Sequence, residues 1–127
     1  MSLPRIPVGM KWRTGSWQQL QAWALPLRQL VFVQEQGVPP EIEVDEFDAT
    51  AMHGVLMDDA ESGLATGRLL AHAPGVARIG RMAVLASRRG QGLGRLVLQH
   101  LMQLARERGD TYVLLHAQIS ARGFYEC

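Results

Sequence analysis

The stretch Arg88-Arg89-Gly90-Gln91-Gly92-Leu93-Gly94-Arg95 decides how the rest of the chain is read. Three glycines alternate between arginines. A hydrophobic run from Ile79 to Ala86 leads in, and an amphipathic stretch from Leu93 to Arg108 leads out. Glycines have no Cβ, so the backbone can approach a ligand closely. A helix that begins just after them turns its unpaired N–H groups toward whatever sits there. The combination predicts an anion site, most naturally for a phosphate or pyrophosphate. Two nucleotide fingerprints fail on it. G-x-G-x-x-G needs a different glycine spacing and an acidic residue closing the next strand, and the Walker A pattern needs Gly-Lys-Ser/Thr.

Working outward, helix and strand signals surround this turn. Val8 to Arg13 reads as a short strand. Ser16 followed by Gln19 is a capping-box pattern, and Leu20, Trp23, Leu27, Leu30 and Val31 continue at helical spacing toward Gly37. Pro26 falls inside that helix and predicts a kink or two consecutive helices. Pro39 and Pro40 close the region, and Glu41 to Asp48 reads as an acidic loop. Met52 to Asp58, Leu64 to His72 and Val76 to Leu85 are strand-like runs separated by turn residues. Gly92 to about Arg108 is a helix with Leu93, Val97, Leu101 and Leu104 on one face. Thr111 to Ala117 is β-rich, and Ser120 to Cys127 reads as the start of a final helix. This order predicts an α+β fold with three layers: a mixed, mostly antiparallel sheet flanked by helices.

Bulk properties fit one soluble domain over 1–127. The chain has 127 residues, 47% hydrophobic and 20% charged, with a formal net charge of +1. So balanced a charge gives no reason to expect nucleic acid or a membrane as partner. Lys11 is the only lysine, and the arginine excess is read as composition bias. The one cysteine, Cys127, permits no internal disulfide. With no apolar leader near Met1, the expected compartment is the cytoplasm.

Arg89, Gly92 and Gly94 also satisfy R-x-x-G-x-G, and here the chain resembles the GNAT superfamily of N-acetyltransferases. A second motif follows in order: Gln118-Ile119-Ser120-Ala121-Arg122-Gly123-Phe124-Tyr125 is similar to the family's N-x-x-A-x-x-F/L-Y, with Gln118 replacing Asn. The run Leu27-Arg28-Gln29-Leu30-Val31-Phe32-Val33-Gln34-Glu35-Gln36 resembles the ElaA-like branch. The resemblance implies acetyl transfer from acetyl-coenzyme A to a primary amine, on a small molecule or a peptide. It implies that Arg88, Arg89, Gly90, Gln91, Gly92, Leu93, Gly94 and Arg95 hold the pyrophosphate. Met82, Ala83 and Val84 would offer backbone to the pantetheine arm, with Gln118 and Phe124 completing the cofactor side.

The same resemblance makes Tyr125 the general acid for the departing thiolate. A tyrosine O–H ordinarily titrates at about 10, so it can stay protonated at neutral pH and donate. Glu35 is the candidate general base, with His53 and His116 as alternatives. The acidic run could draw in a cationic amine, or simply be solvated. A metal on Glu43, Asp45, Asp48 and His53 is not expected, because their spacing fits no recognised ligand set. The family pattern continues beyond Tyr125 into further strands, so missing C-terminal strands and a homodimer are expected. The alternative function is a non-catalytic module of the same fold that binds acetyl-coenzyme A or a partner. A phosphate-binding domain of another fold is a third possibility.

Overall fold

A computed structural model describes residues 3–115. Five strands form one sheet in the order β1-β2-β3-β4-β5: β1 (Met10–Gly15), β2 (Met52–Asp58), β3 (Gly63–Ala73), β4 (Val76–Val84) and β5 (Tyr112–Leu115). The first four are antiparallel neighbours, and β5 runs parallel to β4. β1 begins two residues later than expected, because Gly9 at φ +86° and the Met10 N–H bonded to Pro7 O make a turn of the preceding segment.

Helix α1 (Trp17–Arg28) covers one face of the sheet and α3 (Leu93–Glu107) the other. The α1 start carries the expected capping box: Gln19 N–H donates to Ser16 Oγ, and Ser16 N–H to Gln19 Oε1. Two consecutive helical segments are present, as expected: α1, which holds Pro26, passes directly into a π-helical segment, Gln29–Glu35, which buries the adjacent Val31 and Phe32. A proline has no N–H for the α-helical ladder, and the chain leaves that ladder within the next turn.

The strands alternate faces. On β2, Leu56 joins the α3 cluster, whereas Val55 and Met57 pack with Leu20 and Ala24 of α1. The main core lies under α3, where Leu69, Ala77, Ile79, Met82, Val97 and Leu101 meet. Glu41 to Asp48 is not a plain loop. It folds into a short helix, α2 (Pro40–Glu43), and a 3₁₀ turn (Glu46–Ala49), and it buries Glu43 and Asp48. Among the described residues no helix is long and apolar enough to cross a membrane.

Candidate functional site

The site starts from an irregularity in β4. Thr66 and Arg68 of β3, two residues apart, face Ala83 and Gly80 of β4, three apart. The extra residue is a bulge, and within it Arg81 has φ +49°, uncommon for a residue with a side chain. The bulge reverses the alternation. Before it, Ala77 and Ile79 face α3. After it, Met82 and Val84 do, while Ala83 packs on Val31 and Phe32. Pairing with β5 covers Val76 to Ile79. Among the described residues, therefore, no strand pairs with the outer edge of Gly80 to Val84.

That open edge runs into the glycine turn. A 3₁₀ turn (Ala86–Arg88) precedes Gly90 at φ +83° and Gly92 at φ +76°, and Gly92 is the N-cap of α3. Glycine alone adopts both conformations at little cost. A Cβ placed on either would meet nothing within 4 Å, so space lies open above them. Leu96 N–H makes the first bond of the helix, to Gly92 O, which leaves the N–H groups of Leu93, Gly94 and Arg95 without helical acceptors. No acidic residue or side-chain cap serves that first turn. The turn can therefore present several N–H donors and the positive end of the helix dipole to an anion. Leu93 and Gly94 are buried and can contribute only backbone, whereas Gln91 and Arg95 are exposed.

Arg89 ties this turn to its surroundings. Its Nε–H donates to Val84 O at 3.2 Å, and its Nη2 pairs with Glu35 Oε1 at 2.7 Å. Glu35, expected as general base, is thus engaged with Arg89 of the glycine turn. Tyr125, Gln118, Phe124 and His116 lie outside the described residues.

On the α1 face a network of charges was missed by sequence reading. The buried Arg28 donates from Nε to Glu43 Oε1 at 2.6 Å, and from Nη1 and Nη2 to the two Asp48 oxygens at 2.7 and 3.0 Å. Arg68 grips both Asp45 oxygens, at 2.7 and 3.0 Å, and also Asp48 Oδ1 at 3.0 Å. Arg81 donates to Glu43 O at 3.1 Å and Asp45 Oδ2 at 3.2 Å. Three guanidinium groups therefore balance three carboxylates. Glu41 and Glu46 of the same stretch are exposed.

Burial raises the Asp48 carboxyl, but Arg28, the Asp45 N–H and Arg68 outweigh it and hold the group at about 2. Burial, followed by the Arg28 and Arg68 charges, pushes His53 below its ordinary range. The ring donates from Nε2 to Asp48 O at 2.9 Å, a structural role. A trace of the network was available in the sequence. Arg28 stands on the apolar stripe Leu20, Ala24, Leu27, Val31, and Arg68 interrupts an apolar strand.

Beside this network is a cavity of about 490 Å³ lined by Asp45, Phe47, Arg68, Leu70, Arg78 and Arg81, among others. Gly80 also lines it, so the cavity abuts the bulge from the side opposite α3.

Comparison with known proteins agrees with this geometry. Residues 17–127 match the Acetyltransferase (GNAT) family. The uncharacterized N-acetyltransferase YjcF of Bacillus subtilis is 34% identical over 103 residues, spanning 81% of this chain and 72% of that protein. A crystal structure from Lactobacillus plantarum, assigned as an N-acetyltransferase, superposes with a TM-score of 0.82 at 33% identity, over 93% of this chain and 82% of that one. Escherichia coli ElaA shares the fold, with a TM-score of 0.78 at 24% identity over 92% and 84% of the two chains. With the bulged strand, the glycine turn and these relatives in agreement, the chain belongs to the GNAT family of acetyltransferases.

Proposed function

We propose that the protein transfers an acetyl group from acetyl-coenzyme A directly to a primary amine. One observation carries the reading: the edge of β4 past the Arg81 bulge, which no described strand pairs, is followed by a 3₁₀ turn, the glycine turn and an α3 N-terminus with no side-chain cap. An extended amide chain ending in a pyrophosphate fits that track. The backbone of Met82, Ala83 and Val84 pairs with the pantetheine amides as an added strand would. The N–H groups from Gly90 to Arg95 bind the pyrophosphate, with Arg88, Arg89 and Arg95 adding charge-assisted bonds.

A bulge N–H near Met82 is suited to stabilise negative charge that develops on the thioester oxygen. The neutral amine forms its bond to the acetyl carbon as the carbon–sulfur bond breaks; Tyr125 supplies a proton to the sulfur, and the proton that the nitrogen sheds passes through water and restores the Tyr125 phenol. Gln118 and Phe124 complete the cofactor side. We read Glu35 as a tether for the turn, because its carboxylate is committed to Arg89. We place the protein in the cytoplasm as a single domain, without a metal, and with a homodimer to be sought by ultracentrifugation.

Calorimetry with acetyl-coenzyme A tests the binding half. Wild type is expected to bind, and Gly92→Trp to lose at least about tenfold in affinity, or roughly 1.4 kcal/mol. Thiol release over an amine panel tests the chemistry, and Tyr125→Phe is expected to lower kcat by about a hundredfold. Tight binding with no thiol released by any amine would leave the non-catalytic module as the surviving reading.

A further inference from the structure

We propose that the cavity beside the β4 bulge is the acceptor subsite, and that it binds an anionic group, carboxylate or phosphate, carried by the amine. The proposal rests on the acetyltransferase reading and adds the class of substrate to it. Position is the first argument. Gly80 and Arg81 line the cavity, and the next residue, Met82, begins the edge assigned to pantetheine. A ligand in the cavity therefore lies against the segment where the acetyl group would be held.

Charge is the second argument. The carboxylate of the lining, Asp45, is already held by Arg68 and Arg81. The two other acids of the network are buried behind it, Glu43 against Arg28 and Asp48 against both Arg28 and Arg68. A cationic group finds the Asp45 carboxylate occupied, whereas an anion meets the N–H groups of Arg81 that its bonds to Glu43 and Asp45 leave over.

Arg81 is the third. A guanidinium carries five N–H donors, and the bonds to Glu43 O and Asp45 Oδ2 leave others to offer. Its side chain is 22% exposed, and its backbone at φ +49° lies in the left-handed region that side chains seldom adopt. Burial, and then the charge of Arg68, push its pKa below the ordinary range, and a neighbouring anion would offset that crowding. The volume and the apolar wall of Phe47 and Leu70 suit an acceptor of amino-acid or short-peptide size.

Paired substrates test this. Thiol release is measured with leucine against leucinamide and with phosphoethanolamine against ethanolamine. The amide's less basic amine gives it the intrinsic advantage. The expected result is a kcat/KM at least about tenfold higher for the anionic member of one pair. Which pair responds distinguishes carboxylate from phosphate. Arg81→Gln should collapse the gap through KM, and Arg81→Lys should keep part of it.

A readout free of turnover is the NMR titration of N-acetyl-leucine against its amide. Only the acid should shift the Gly80 and Arg81 amides, and Arg81→Gln should abolish that shift. Equal or better turnover of the uncharged members, or amide signals equally indifferent to acid and amide, overturns the proposal, and the wild-type comparisons decide it even if a variant fails to fold. Acid-specific shifts without thiol release from any amine would support the pocket and refute the acetyltransferase reading.

Discussion

Replacing Asp48 by Asn exchanges one carboxylate oxygen for an NH₂ at the centre of the charged network, and its consequences can be worked out from contacts. Asp48 Oδ1 accepts from Arg28 Nη1 at 2.7 Å and Arg68 Nη1 at 3.0 Å, while Oδ2 accepts from Arg28 Nη2 and the Asp45 N–H, each at 3.0 Å. Asparagine keeps one acceptor and turns an NH₂ toward groups that are themselves donors. Breaking a buried ion pair by removing one partner costs about 3–5 kcal/mol. Arg28 retains Glu43, so the lower end, about 3 kcal/mol, is expected at pH 7.

The pH dependence gives a second, independent check. The folded Asp48 carboxyl lies at about 2, below its ordinary 3.8. Its ionised form is thus favoured by folding, and the stabilisation is complete well above 3.8 and is lost as the pH falls through 3.8 toward 2. The shift corresponds to about 2 kcal/mol, of which roughly half is gone by pH 3. Urea unfolding of wild type and Asp48→Asn at pH 7, 5 and 3 measures both quantities. The gap between the proteins should narrow by about 1 kcal/mol from pH 5 to pH 3. A gap under about 1 kcal/mol at pH 7, or one that stays constant with pH, would refute the account of Asp48 as the ionised hub.

Three further outcomes are expected. Gly67→Ala would set a Cβ 2.4 Å from Met82 Sδ and 2.9 Å from Leu101 Cδ1, so it should lower stability by about 1–3 kcal/mol in thermal unfolding. An unchanged Tm would mean that both side chains withdraw freely. Ser16→Ala removes the α1 capping box and should cost about 1 kcal/mol in urea. Glu35→Gln breaks an exposed pair, so stability should move by less than about 0.5 kcal/mol, while the KM for acetyl-coenzyme A rises a few-fold and kcat stays near wild type. A kcat loss of about a hundredfold would instead make Glu35 the general base.

Local chemistry was legible without coordinates. The Ser16–Gln19 capping box, the strand-turn-strand order from Met52 to Leu85, and the glycine turn before α3 each depend on residues a few positions apart. Propensity and spacing act over that same range. The acidic stretch and Glu35 were harder to interpret, because their meaning lies in partners far along the chain. Arg28 meets Asp48 across 20 residues, and Arg68 meets Asp45 across 23. Nothing in the acidic run alone tells a solvated loop from carboxylates neutralised by arginines of a helix and two strands.

β4 makes the same division within one strand. From sequence alone a hydrophobic run ending in alternating glycines was legible as a tight strand-to-helix turn, with an anion site as the expectation placed on it. Strict alternation would put Arg81 on the α3 face with Ala77 and Ile79. Only the tertiary structure, through a left-handed Arg81 held by Asp45 and Glu43, turns that side chain to the opposite cavity and returns Met82 to the core. The physical reason is that burial and ion pairing across the fold select the bulge, and a period of two along the chain cannot encode it.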